Sequence, residues 1–367
     1  MRARRLKTLI ISGSADGMIN CGVGQYVFNL FNFVNNKFYD EFFLLTDSVA
    51  GSKEDSSNIF YVKNWSFLQI SRIYKIIKKI KPDVVHIHYH SIGFSKFITP
   101  LLLPAFIKII LRIRIIETWH ENFFASFTTG LTMLPAYLAA EKIVTPHKKL
   151  FNSSKALFKF FFNSYVNVEF LPGVANIKPY LALKDSNSNF SPNATTPLTV
   201  VTFGKISERK KIPNIINFFR CLPQHSRFIL VGKVDNNKLR LEDDIYYAAR
   251  QLGPKIEFLW LKNATDNDIS LLLSSADIAP FDLGNRHWES STTVQASLLH
   301  DVVVIHNDEV SCPTLSKDKR RILIRDFRGC FDEVIYSLYK KSSKSPTVSW
   351  NETWSKHANK LIDLYHD

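Results

Sequence analysis

The chain has 367 residues, 46% of them hydrophobic and 22% charged, which excludes intrinsic disorder and is long for one core but comfortable for two. Its net charge of +14 is uneven: residues 1–180 hold 22 Lys and Arg against 11 Asp and Glu, so the basic surplus belongs to the N-terminal half and suits nucleic acid or an anionic membrane. The strongest apolar run, Phe97–Leu111, is interrupted by Pro100, Pro104 and Lys108 and falls short of the roughly 20 residues that a membrane span needs.

Met1-Arg-Ala-Arg-Arg5 leads straight into a strand-like run, so no secretory leader is expected. Cys21, Cys221, Cys312 and Cys330 are scattered and form no metal or redox motif, which fits a reduced cytosolic compartment.

Strand-like and helix-like segments then alternate. Lys7–Gly13 reads as a strand, followed by a glycine loop to Gly24 and a helix through about Phe33. Glu41–Thr46 and Ile59–Val62 are further strands, and Ile70–Lys81 has helical spacing with lysines on one side. Asp83–His88 is β-branched and nearly all apolar, the pattern of a strand buried in a parallel sheet. Ile115–Trp119, Lys142–Thr145 and Val166–Leu171 continue the series. Asp185–Pro197, rich in Ser, Asn, Pro and Thr, reads as a linker.

The alternation then restarts. Strands are predicted at Leu198–Phe203, Arg227–Val231, Ile256–Leu261, Ile278–Phe281 and Val302–His306. Helices are predicted at Ile212–Leu222, Leu241–Leu252, Ala264–Ser275 and Thr293–Leu299. The expected fold class is α/β, with two Rossmann-like, doubly wound domains whose ligands lie in an inter-domain cleft at the carboxyl ends of the strands.

Five stretches could carry chemistry. Gly22-Val-Gly24 follows the first strand, but Val27 stands where a dinucleotide fingerprint has glycine. The loop is either a flexible turn or a close approach to a sugar or diphosphate. His86-Ile-His88-Tyr-His90 places three histidines on one strand face, as a zinc site or as histidines at the end of a buried strand. His120, in Glu117-Thr-Trp-His120-Glu121, could bind a substrate hydroxyl, act as acid or base, or be structural. Gly204-Lys205-Ile-Ser-Glu-Arg209-Lys210-Lys211 is a basic βα loop suited to a diphosphate, or a solvated charge run. In His287-Trp-Glu289-Ser-Ser291-Thr292-Thr293-Val-Gln295-Ala296 a lone carboxylate precedes a hydroxyl-rich helix start. Such a start attracts phosphate, and the carboxylate then suits a sugar.

In order and spacing these stretches resemble the GT-B glycosyltransferases of the large retaining family 4. Cys21-Gly22-Val-Gly-Gln-Tyr26 is similar to that family's Gly-Gly-Val loop, and Asp83-Val-Val-His-Ile-His88 to its Asp-Val-Val-His-x-His strand. Thr118-Trp-His120 stands at the active-site histidine, and Phe170-Leu-Pro-Gly173-Val174 at the entry to the linker. Gly204-Lys205 and Lys210 fall at its diphosphate-binding Gly-Arg and Lys, and Ala276-Asp277 at its Ala-Asp strand. The family's two glutamates are separated by seven residues. Here five separate Glu289 from Gln295, which stands at the second.

The resemblance implies a retaining, metal-independent transfer from a UDP- or GDP-linked sugar, with no cofactor. His120 and Glu289 would be catalytic, and Gly22, Gly204, Lys205, Lys210, Ser291, Thr292, Thr293 and Gln295 would bind the donor. It also implies an N-terminal acceptor domain (1–180) on which the closing helix (350–367) packs, a linker (181–197) and a donor domain (198–349).

Lys75, Lys78, Lys79, Lys81, Lys96, Lys108, Arg112, Lys148, Lys149, Lys155 and Lys159 are interleaved with Phe, Ile and Leu, most densely in Phe151–Phe162. That pattern leads to an expected partner in an anionic membrane, on the inner face of the cytoplasmic membrane, and to a saccharide or lipid-linked saccharide acceptor. Alternatives are a nucleotide-sugar epimerase of GT-B shape and a basic nucleic-acid-binding protein, although no recognised nucleic-acid motif is present.

Overall fold

A computed structural model describes residues 5–15, 22–47, 55–91, 93–95, 97–121, 132–146, 167–179, 197–234, 239–284, 288, 291–307, 313–342 and 349–367. The chain divides into two compact units, Met1–Asn176 with Asn351–Asp367, and Ile177–Trp350.

The first unit holds β1 (Lys7–Ser12), α1 (Gly22–Lys37), β2 (Glu41–Asp47), β3 (Ile59–Val62), α2 (Ile70–Ile80), β4 (Val84–Tyr89), α3 (Thr99–Phe106), β5 (Arg114–Trp119), α4 (Leu134–Ala139), β6 (Lys142–Thr145) and β7 (Asn167–Phe170). Its seven strands lie in the order β3-β2-β1-β4-β5-β6-β7, all parallel. The strand order reverses between β1 and β4, which makes their carboxyl ends the natural ligand position.

Every residue of β4 is buried, as its β-branched sequence requires of a strand covered on both faces. On one face Val85 and Ile87 meet Ile73, Ile76, Ile77 and Ile80 of α2. Those isoleucines recur at helical spacing, and each contributes roughly 1.5–3 kcal/mol by leaving water. α2 ends at Lys81, a left-handed residue (φ 51°) whose N–H bonds the carbonyl of Ile77. The apolar run at 97–111 is α3 followed by a π-helical turn, Ile107–Leu111, with Pro104 inside the helix.

The second unit holds β8 (Thr199–Phe203), α5 (Ile212–Phe218), β9 (Arg227–Val231), α6 (Leu239–Arg250), β10 (Glu257–Leu261), α7 (Asp266–Ser275), β11 (Ile278–Phe281), α8 (Thr292–Leu299), β12 (Val303–Asn307), β13 (Thr314–Leu315), β14 (Arg321–Ile324) and α9 (Glu333–Lys341). The sheet order is β10-β9-β8-β11-β12-β14-β13, parallel except for the β13–β14 pair. Here the reversal falls between β8 and β11. α7 starts at a capping box in which the Thr265 hydroxyl accepts from Asp268 N–H and the Asp268 carboxylate accepts from Thr265 N–H.

Three features of this unit escape the sequence pattern: β13, β14 and α9. A fourth is covalent. Nothing in their spacing pairs the cysteines, yet folding brings Cys221 and Cys330, 109 residues apart, to a Cα–Cα distance of 6.4 Å, where a disulfide joins them.

The last helix, α10 (Trp350–His366), belongs to the first unit. Its Trp354, His357, Leu361 and Tyr365 are buried. Trp354 Nε1 donates to Ala175 O at 3.1 Å, and Arg114 Nη1 donates to Tyr365 O at 2.9 Å.

Candidate functional site

In the first unit the side chains of β4 alternate. Ile87 and Tyr89 enter the apolar core, while His86 and His88 take the opposite face with Thr118 of β5. His86 Nδ1 bonds Tyr365 Oη at 2.6 Å and its Nε2 bonds Thr118 Oγ1 at 2.8 Å. His88 Nδ1 lies 3.1 Å from His120 Nε2, with the two rings stacked at 28°. Tyr26 of α1 bonds His357 Nε2 at 2.6 Å and sets its ring edge against both His88 and His120.

The His90 ring meets His120 edge-on, with ring centroids 6.4 Å apart. Its Nδ1 accepts from Gly93 N–H at 3.0 Å and its Nε2 donates to Gly13 O at 3.1 Å, so both ring nitrogens secure loops. Among the described residues no three His, Cys, Asp or Glu side chains are placed to hold a metal ion.

Burial keeps these rings neutral: it lowers His86 and His357 to about 3, His90 to about 4, and His88 well below 6.5. Glu117, on the core face of β5, is shifted the other way, to about 7, by the same desolvation. Trp119 Nε1 donates to its Oε2 at 2.5 Å, while Oε1 is buried without a hydrogen-bond partner. Glu121 is the tie between strand ends: its carboxylate accepts from Ser91 N–H at 3.1 Å and Ser91 Oγ at 2.9 Å.

Gly22 opens α1, and a side chain there would meet nothing within 4 Å. Gly24 is the tight position, since a Cβ would stand 2.1 Å from Ser14 O. The sequence pattern does not separate the two glycines; only their neighbours do.

In the second unit the loop after β8 begins at Gly204, whose φ of +101° suits glycine. A one-turn 3₁₀ segment, Glu208–Lys210, folds the loop back so that Lys210 Nζ donates to Phe203 O at 3.3 Å. A Cβ at 204 would stand 2.9 Å from Lys210 Nζ and 3.2 Å from Thr293 Cγ2. The structure therefore brings Gly204, Lys210 and Thr293 together, and Lys205 sits exposed beside them.

Ser291 caps α8: its Oγ accepts from Val294 N–H at 3.4 Å and bonds Thr293 Oγ1 at 3.0 Å. Thr292 and Thr293 supply the first N–H groups of the helix, where backbone donors and the helix dipole favour an anion. Gln295, half-buried, follows one turn later with its N–H on Ser291 O. Glu289, the lone carboxylate of the sequence reading, lies outside the described residues.

A network that sequence reasoning missed supports this helix start. The buried Arg321 holds its guanidinium 3.6 Å over the Trp288 ring and donates to His306 Nε2 at 3.1 Å and 3.3 Å. His306 Nε2 accepts, so its proton is on Nδ1, which donates to Asn307 O at 3.3 Å. Asn307 Nδ2 donates to the buried Asp282 at 2.9 Å, and Lys211 Nζ lies 3.7 Å from the same carboxylate. Asp282, just after β11, is thus held by Asn307, and Trp288 by Arg321. His300, at the other end of α8, bonds Ala296 O at 2.7 Å and Ser270 Oγ at 2.8 Å.

Residues 49–113 match the family described as glycosyl transferase 4-like. No curated protein sequence matches the chain. Among solved structures, sucrose-phosphate synthase from Thermosynechococcus elongatus superposes with a TM-score of 0.66 at 14% identity, over 99% of this chain and 98% of that one. Anabaena HepE in complex with UDP and glucose gives 0.64 at 12% identity, over 99% and 100%. The catalytic domain of starch synthase IV from Arabidopsis thaliana, bound to ADP and acarbose, gives 0.64 at 11% identity, over 99% of each chain. The chain has the GT-B fold and resembles the glycosyl transferase 4-like family.

Proposed function

We propose that the chain is a glycosyltransferase that moves a sugar, with retention of configuration and without a metal, from a UDP- or GDP-linked donor to a saccharide or lipid-linked saccharide acceptor. The observation that carries this reading is the convergence of Lys210 Nζ and the α8 start at Thr293 on the side-chain-free surface of Gly204. A cation, helix-start N–H groups and a bare backbone at one point form a diphosphate cradle. HepE with UDP and glucose, and starch synthase IV with ADP, supply the analogy for the ligand class.

In this reading Lys205, Lys210, Ser291, Thr292 and Thr293 take the negative charge that develops on the departing diphosphate, a preorganised electrostatic contribution. Gln295 hydrogen-bonds ribose hydroxyls, and the open surface at Gly22 admits the donor. The C1–O bond to phosphate breaks as C1 bonds to the acceptor oxygen on the same face, and the acceptor proton passes to the leaving phosphate oxygen. His120 hydrogen-bonds the sugar, and Glu289 offsets the oxocarbenium-like charge at C1.

Apolar exposure in the first unit supports a peripheral role at an anionic membrane, in cell-surface polysaccharide or glycolipid assembly. Ile109 and Ile110, in the π-turn after α3, are 71% and 58% exposed, and Leu138 on α4 is 60% exposed. Arg112 adjoins them in sequence. Phe151–Phe162 lies outside the described residues. No described helix is long and apolar enough to cross a membrane.

The test is thermal unfolding with UDP, GDP and their sugars, followed by NMR of the anomeric product. A shift with one nucleotide family and a retained anomer support the reading. No shift with any nucleotide, or release of free sugar nucleotide epimer without an acceptor, overturns it. Flotation with anionic liposomes at low salt tests the membrane role.

A further inference from the structure

His88 is fully buried between β1 and β5, paired in register with Ser12 and Thr118. Its Nδ1 meets His120 Nε2 at 3.1 Å, and its Nε2 has no hydrogen-bond partner. A neutral imidazole carries one proton on one nitrogen. A buried N–H without an acceptor is rarer and costlier than an unused lone pair. The proton of His88 therefore sits on Nδ1, which donates to His120, and Nε2 keeps its lone pair.

We propose that His88 is a positioning residue for His120: by donating into Nε2 it fixes His120 as the Nδ1–H form, a hydrogen-bond donor and not a base. Tyr26 on α1 and Tyr365 on α10 have their hydroxyl pKa raised by burial, and His86, His90 and His357 are held neutral. Tyr26 closes the opposite side by packing on both imidazoles, so the His120 ring is fixed in plane as well as in protonation. In the transfer proposed above, on which only this functional part rests, His120 gives its Nδ1–H to a hydroxyl of the donor sugar. Proton removal then falls to the departing phosphate.

The experiment is nitrogen NMR of the full chain with ¹⁵N-labelled histidine, without nucleotide. His120 and His88 are both expected as Nδ1–H; an Nε2–H His120 overturns the proposal. Variants separate positioning from packing. In His88→Asn the amide N–H stands where Nδ1–H stood, so His120 keeps its tautomer and kcat stays within about threefold. In His88→Gln and His88→Leu that donor is lost, Nε2–H appears on His120, and kcat falls about 10- to 100-fold with KM little changed. Equal effects of Asn and Leu on the His120 tautomer also overturn the proposal. If the NMR result holds and no transfer occurs with any sugar nucleotide, the functional reading fails while the tautomer assignment stands.

Discussion

Arg321 stacks on Trp288 at 3.6 Å and donates two hydrogen bonds to one nitrogen of His306. A lysine can supply the charge but neither the flat stack nor the paired donors. Arg321→Lys is expected to destabilise the second unit by about 1–2 kcal/mol, the scale of a desolvated cation–π contact. It is also expected to weaken nucleotide binding about tenfold by loosening the residues ahead of α8. Denaturant unfolding and nucleotide titration measure the two effects; unchanged binding would separate the clamp from the site.

Gly204→Ala combines a left-handed φ with a Cβ driven against Lys210 Nζ and Thr293 Cγ2. The strain costs about 1–3 kcal/mol, and nucleotide-dependent thermal stabilisation should vanish. Lys210→Ala removes one side-chain hydrogen bond to Phe203 O and introduces no φ strain. It should leave the fold stable and lower kcat about 100-fold, as loss of one electrostatic contact to a developing anion does. If Lys210→Ala retains full activity, the diphosphate cradle lies elsewhere.

Unit 1 should lose stability in acid. His86 and His357 have folded pKa values near 3 and His90 near 4, below the unfolded 6.5. As pH falls through this window the unfolded chain binds more protons than the folded one, so stability falls, by up to about 1.4 kcal/mol per pH unit for each histidine. Glu117 acts oppositely. Its folded value near 7 exceeds 4.5, so its contribution is present in acid and is lost as pH rises toward 7. Glu117→Gln should therefore gain stability relative to the natural chain at pH 8 and not at pH 4, read by denaturant melts across pH. A pH-independent difference would show that Glu117 does not titrate in this range.

Reduction of Cys221–Cys330 opens a loop of 109 residues and should destabilise the second unit by about 2–5 kcal/mol. Melts with and without dithiothreitol, compared with Cys330→Ser, measure it. If reduction leaves the melting temperature unchanged, the bond does not constrain the unfolded chain.

The doubly wound architecture is legible in the sequence because buried parallel strands are short apolar runs and their helices carry a 3.6-residue repeat. Asp83–His88 and Ile70–Lys81 show this directly, against β4 and α2. β13 and β14 are hidden because Thr314-Leu315 is too short for a period and Arg320-Arg321 breaks the apolar signal, although both arginines are buried. At the candidate site, local composition marks Gly204, Lys210 and Thr293, but their meeting depends on the backward turn at Glu208–Lys210. The roles of His88, His306 and Arg321 depend on partners 15 to 33 residues away, which periodicity does not report.

The His86–His88 face of the first sheet is completed from far along the chain. Tyr365 and His357, the partners of His86 and Tyr26, are made only after the whole second unit has been translated. A nascent first unit on the ribosome consequently carries an unsealed polar seam throughout most of its synthesis. Its final stability is set at chain release, and a nascent chain stalled before residue 350 would hold that seam open to water and to chaperones.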